Sequence, residues 1–88
     1  MAGFSSQGPY IFPNGKMNRT QIRTPHDLGE QVRRRRTELG LTQTEIADAS
    51  RVTLRFVSEL ENGKESAQLA GIQRVLAALG LDWYLERR

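Results

Sequence analysis

The chain has no cysteine, and its 88 residues include only one histidine and one tryptophan. Without cysteine, neither a disulfide framework nor thiolate ligation of zinc can supplement so small a core, and oligomerisation becomes the expected extra support. The lone His26 sits beside Asp27 near a helix start, a position suited to capping rather than proton transfer. No Ser/His/Asp arrangement, phosphate-cradling glycine loop or metal-ligand spacing occurs, so the sequence argues against an enzyme and requires no cofactor or metal. Long apolar runs are missing too. None approaches a membrane span or a signal-peptide core, which gives the expectation of a cytoplasmic protein with no membrane partner. The formal charge is only +3, so recognition of any polyanion must rest on where the cations sit.

What is present divides the chain in two. Residues 1–21 mix Gly3, Gly8, Pro9, Pro13 and Gly15 with Ser, Gln and Asn, a composition expected to form a flexible N-terminal tail. Its one apolar knot is Tyr10-Ile11-Phe12, and Met17 offers an alternative native start. Residues 22–88 carry the folded domain. There, Thr24-Pro25 supplies an N-cap and a first-turn proline, while Asp27 and Glu30 complement the helix dipole. Leu28, Val32 and Leu39 keep to one helical face up to Gly40, and Arg33-Arg34-Arg35-Arg36 reads as a solvated basic run.

Thr42 and Glu45 form a capping box that starts a second helix at Gln43. The pattern breaks over Ser50-Arg51-Val52, Thr53 recaps, and Val57 and Leu60 mark the inner face of a third helix stopped by Asn62-Gly63. Ser66 is the expected cap of a fourth helix with Leu69, Ile72, Val75, Leu76 and Leu79 as its core stripe. Gly71 inside that stripe costs about 1 kcal/mol relative to alanine, which points to close packing. After Gly80, the alternation of Leu81, Trp83 and Leu85 is a strand signature with no partner in the chain. A second copy across a two-fold axis would pair it; otherwise Trp83 covers the end of the core from a helical turn or coil.

Two capped helices joined by a three-to-four-residue turn make a helix-turn-helix unit. Leu41-Thr42-Gln43, Glu45-Ile46-Ala47, Val52-Thr53 and Leu60-Glu61-Asn62-Gly63-Lys64 resemble the Cro/XRE-type family of phage and bacterial repressors. Family members keep glycine in the turn where this chain has Arg51. A side chain at that left-handed backbone angle costs on the order of 1 kcal/mol, so either Arg51 bears the strain while reaching a phosphate or the turn is built differently. Over residues 22–85 the chain is also similar to HipB-type antitoxins, whose dimers pair C-terminal strands, repress their own operon and bind a HipA-type kinase toxin.

The resemblance implies an all-α, four-helix, lambda-repressor-like domain with a short C-terminal strand pairing across a dimer through Leu81, Trp83 and Leu85. It also implies an Arg36–Glu61 pair between the first and third helices, and phosphate contacts from Gln43, Thr53, Asn62 and Lys64. Leu54, Arg55, Ser58 and Glu59 would read bases: Arg55 suits guanine, Glu59 the amino group of cytosine and Leu54 a thymine methyl. Phe56, beside Leu60, is expected to be partly buried and is left out of the reading set. The expected function is a repressor at a two-fold operator, as the autoregulating antitoxin of a HipA-type pair. A free-standing regulator and an adaptor that uses the fold without reading DNA are the alternatives.

Overall fold

The computed structural model describes residues 19–88. They form four helices: α1 Pro25–Glu38, α2 Gln43–Ser50, α3 Leu54–Glu61 and α4 Leu69–Ala78. The first three start where local chemistry requires. Thr24 accepts a hydrogen bond from the Asp27 N–H with Pro25 in the first turn, Thr42 and Glu45 complete a reciprocal capping box, and Thr53 accepts from the Phe56 N–H. Helices of eight residues such as α2 and α3 do not persist alone in water, so packing holds them. Val32, Ile46, Val57, Leu60, Val75 and Leu79 are fully buried at the centre, α1 packs on α3, and α2 packs on both α3 and α4.

All four helices end in the same backbone motif, with one exception in residue type. Gly40, Gly63 and Gly80 take positive φ just past α1, α3 and α4, and each following N–H bonds back to the helix: Leu41 to the Arg36 carbonyl, Lys64 to that of Glu59 and Leu81 to that of Leu76. At the end of α2 the same position is held by Arg51 at φ 60°, with the Val52 N–H returning to the Ala47 carbonyl. Of the two options for that turn, the left-handed one is therefore realised, on a residue with a Cβ.

Two interior glycines mark close approaches. A Cβ on Gly29 of α1 would run into the Leu60 carbonyl and come within 2.8 Å of that of Glu61, so α1 and α3 touch backbone to backbone. At Gly71 the same atom would lie 2.5 Å from the Phe56 ring, which tucks into the gap and makes Phe56 half-buried.

Several expectations need correction. Ser66 caps nothing: α4 begins at Leu69 after Gln68, with no side-chain cap, and Leu69 itself is 65% exposed rather than core. Leu39 is the residue on which the chain leaves α1, and at 43% exposure it has departed from the buried stripe. Among the described residues there is no strand. Leu81 is partly buried against the core, where the terminal motif of α4 places it, while Trp83, Tyr84 and Leu85 are exposed. Of the expected tail, residues 1–18, including Tyr10-Ile11-Phe12 and Met17, lie outside the described residues. No helix among the described residues is long and apolar enough to cross a membrane.

Candidate nucleic-acid interface

With Val57 and Leu60 turned into the core, helical geometry directs Leu54, Arg55, Ser58 and Glu59 to the opposite side of α3. Leu54 and Arg55 are exposed, and Ser58 and Glu59 are half-exposed. The Thr53 hydroxyl uses a lone pair to cap α3, which leaves its own proton available to a further acceptor. Asn62 ends α3, exposed, and Lys64 follows the Gly63 turn. Arg51 is exposed at the turn that feeds α3.

The outer face is held by a three-residue ionic bridge. Arg55 Nε donates to Glu59 Oε2 at 3.0 Å, and Lys64 Nζ donates to Glu59 Oε1, also at 3.0 Å. The first contact follows from the four-residue helical spacing. The second follows from the terminal motif of α3, which brings the residue after its glycine back over Glu59; an ion pair stands where that motif commonly has an apolar contact. Hydrogen bonds from Lys64 and then Arg55 hold the Glu59 carboxyl below its ordinary range, so it is ionised at neutral pH.

On the inner side of the same helix, Arg36 and Glu61 form a bidentate pair, Nε to Oε2 at 2.6 Å and Nη2 to Oε1 at 3.0 Å. Only 12% of the Arg36 side chain and 4% of that of Glu61 are accessible. Arg36 Nη1 also donates to the Leu41 carbonyl at 2.8 Å, and Gln43 Nε2 to Glu61 Oε1 at 3.0 Å. Burial pushes the Glu61 carboxyl up, but the hydrogen bonds from Arg36 and Gln43 outweigh it and the net direction is down. The bond to Glu61 raises Arg36 in turn. Gln43 is thus already tied to the fold, with one amide proton and the α2 N-terminus left for a phosphate.

The expected site residues fall into three groups. Leu54, Arg55, Ser58 and Glu59 share the outer side of α3; Thr53, Asn62 and Lys64 flank its ends; Gln43 sits half-buried beside the Arg36–Glu61 pair. Leu81, Trp83 and Leu85 lie in the C-terminal segment, outside all of these. Sequence reasoning missed Gly29, whose signal was a glycine in a helix interior. It also missed Arg35, which donates to the Leu79 carbonyl at 2.9 Å, and Arg74, which donates to that of Ser50 at 3.1 Å. No periodicity foretells a side chain reaching another helix's last carbonyls.

A short, doubly capped α3 with a buried inner side and a polar outer side, set on α2 by a tight turn, defines a DNA-binding helix-turn-helix protein. The chain belongs to the helix-turn-helix family HTH_3, whose model matches residues 32–84. It is 45% identical over 60 residues to an uncharacterised HTH-type transcriptional regulator of Sinorhizobium fredii, spanning 68% of this chain and 79% of that one. A similar regulator of Methanothermobacter thermautotrophicus is 43% identical over 49 residues, 56% of this chain and 71% of its own. Among solved structures, the HipB–O4 20mer complex matches with a TM-score of 0.73 at 25% identity, over 78% of this chain and 97% of the matched one. The HipA–HipB–O2–O3 complex matches with the same TM-score of 0.73 and 25% identity, again over 78% and 97% of the two chains. The protein is a transcription regulator of the Cro/XRE type, and the family is not one of enzymes.

Proposed function

We propose that this regulator is the autoregulating antitoxin of a HipA-type toxin–antitoxin pair, acting in the cytoplasm as a homodimer that represses at a two-fold operator. The observation that carries the reading is the match to HipB over nearly the whole HipB chain, including HipB held in a complex with HipA. Leu54, Arg55, Ser58 and Glu59 face the bases in this reading, and Gln43, Thr53, Asn62 and Lys64 hold phosphates. Trp83 and Leu85, exposed at the C-terminus, pair with the same segment of a second copy, with Leu81 at its base. The test is co-purification from the native host. A kinase-like protein encoded beside this gene should be recovered, and its binding should change affinity for the upstream DNA. An empty pull-down and a neighbourhood with no such gene would overturn the antitoxin assignment.

A second reading, a free-standing regulator, rests on the 45% identity to an HTH-type transcriptional regulator. Both readings require DNA binding whose affinity falls steeply with salt, because released counterions drive it. An adaptor that docks on protein would lack that slope.

A further inference from the structure

The ionic bridge on the outer face assigns Glu59 a task other than reading cytosine. We infer that Glu59 is a positioning residue: it holds Arg55 in a base-reading pose and keeps Arg55 and Lys64 from gripping phosphates indiscriminately. The inference rests on the DNA-binding reading and concerns how the same face achieves sequence preference.

Three observations support it. First, Arg55 is bound through Nε, and among the described residues neither of its Nη groups has a partner. The two Nη groups carry four of the five guanidinium N–H donors and remain for the O6 and N7 acceptors of guanine. An exposed arginine, here 83% accessible, otherwise spreads over many rotamers, so the carboxylate removes disorder before DNA arrives. Second, both Glu59 oxygens are occupied, one by each cation. A carboxylate whose charge is already balanced by two cationic donors is a weaker attractor for the neutral cytosine amino group than an unpaired one. Third, Glu59 is fixed from both directions by backbone geometry, through helical spacing to Arg55 and the terminal motif to Lys64. The bridge is therefore a property of the folded domain, present before any ligand.

The consequence is a negative charge placed among the cations of the binding face. On arbitrary DNA, Arg55 and Lys64 reach phosphates only by giving up Glu59 and bringing its charge toward the backbone. On the right sequence Arg55 need not give up Glu59, because its Nη donors remain for the base. Glu59 thus lowers affinity for all sequences and lowers it least for the correct one, which is specificity by penalty.

The test uses the full chain. A duplex library with a randomised core is selected with the wild-type protein, and the enriched duplex and its single-base variants then serve as probes for wild type, Arg55→Ala, Glu59→Ala, Glu59→Gln and the Arg55→Ala/Glu59→Ala double variant over a salt series. Arg55→Ala identifies the base pair it reads. At that pair Glu59→Ala should reduce preference about three- to tenfold, while affinity for scrambled duplex rises and the slope of log affinity against log salt steepens by about one to two per subunit. Glu59→Gln, which keeps an acceptor for Arg55 but no charge, should retain more of the preference while still gaining scrambled-duplex affinity. In the Arg55→Ala background, Glu59→Ala should change that preference no further. A merely structural role would instead weaken every duplex alike. The inference is overturned if Glu59→Ala removes preference at a pair that Arg55→Ala leaves intact, or if it lowers scrambled-duplex affinity. Failure of the wild-type chain to enrich any sequence removes the DNA reading together with this inference; enrichment with an unchanged Glu59→Ala profile removes this inference alone.

Discussion

Helix α3 carries two glutamates two residues apart, each bound by two donor side chains, and they have opposite fates. Glu61 is enclosed with Arg36 and Gln43, and Glu59 lies on the surface with Arg55 and Lys64. The chemistry of the bonds is nearly the same, so the difference in consequence comes from solvent. A pair removed from water cannot lose one member without stranding a charge, whereas deleting one member of an exposed pair costs the fold little, because water solvates the charge left behind. One helix thus uses ionic contacts on one side as a permanent joint and on the other as a contact that can be exchanged for DNA.

The comparison breaks most sharply at Arg36. Arg36→Ala strands Glu61 and the Leu41 carbonyl, and urea unfolding should show a loss of about 3–5 kcal/mol. Its pH dependence has a definite sign. In the wild type the Glu61 carboxyl lies below its ordinary value of 4.5, so the stabilisation is complete above that pH and fades as pH falls through the lower folded-state value. The variant has no such stabilisation to lose and gains when the stranded carboxylate is protonated. The gap between the two proteins should therefore narrow below about pH 4.5.

The next test keeps every charge and changes only the seam. Gly29→Ala drives a methyl group against the Leu60 and Glu61 carbonyls, which are backbone and cannot swing aside. It should cost about 1–3 kcal/mol in thermal or urea unfolding. A loss as large as that of Arg36→Ala would mean that the ion pair and the helix approach are one feature rather than two.

Arg51→Gly acts in the stabilising direction. It relieves the left-handed strain at the end of α2 but adds freedom to the unfolded chain, for a net gain of about 0.5–1 kcal/mol in the melting measurement. If Arg51 also holds a phosphate, the same variant should flatten the salt slope of DNA binding by about one per subunit. The smallest effect belongs to the surface bridge: Glu59→Ala should leave the unfolding midpoint close to that of wild type, although it alters DNA preference. A large loss there would erase the contrast between the two sides of α3.

How much of this was legible follows from the reach of each interaction. The starts of α1, α2 and α3 could be read because a cap is chemistry between residues three apart, as at Thr24, Thr42 and Thr53. The start of α4 could not, since no side chain caps it and packing alone decides that Leu69 begins the helix. Leu39 and Leu69 were misplaced because apolar spacing shows which residues share a stripe, not where the neighbouring helix stops covering it. Within the Arg33–Arg36 run the resemblance singled out Arg36 and its partner Glu61, but Arg35 looked solvated and yet reaches across the domain to the Leu79 carbonyl, an acceptor that no local pattern marks. On the outer face, sequence position placed Arg55 and Glu59 side by side but assigned each to a different base, because the bond between them needs the rotamers as well as the spacing.

The Glu61 joint also has a kinetic meaning. Arg36 from α1, Gln43 from α2 and Glu61 from α3 converge on a single carboxylate, and the two shorter elements have only eight residues each. Neither can fray by a turn at its anchored end without opening that enclosed contact, so partial unfolding of the reading face has no inexpensive first step. Amide protons in the last turn of α3 would then exchange more slowly than those of an unanchored helix end. The end of α3 that leads into Asn62 and Lys64 is thereby held in the same place on the domain whether or not DNA is present.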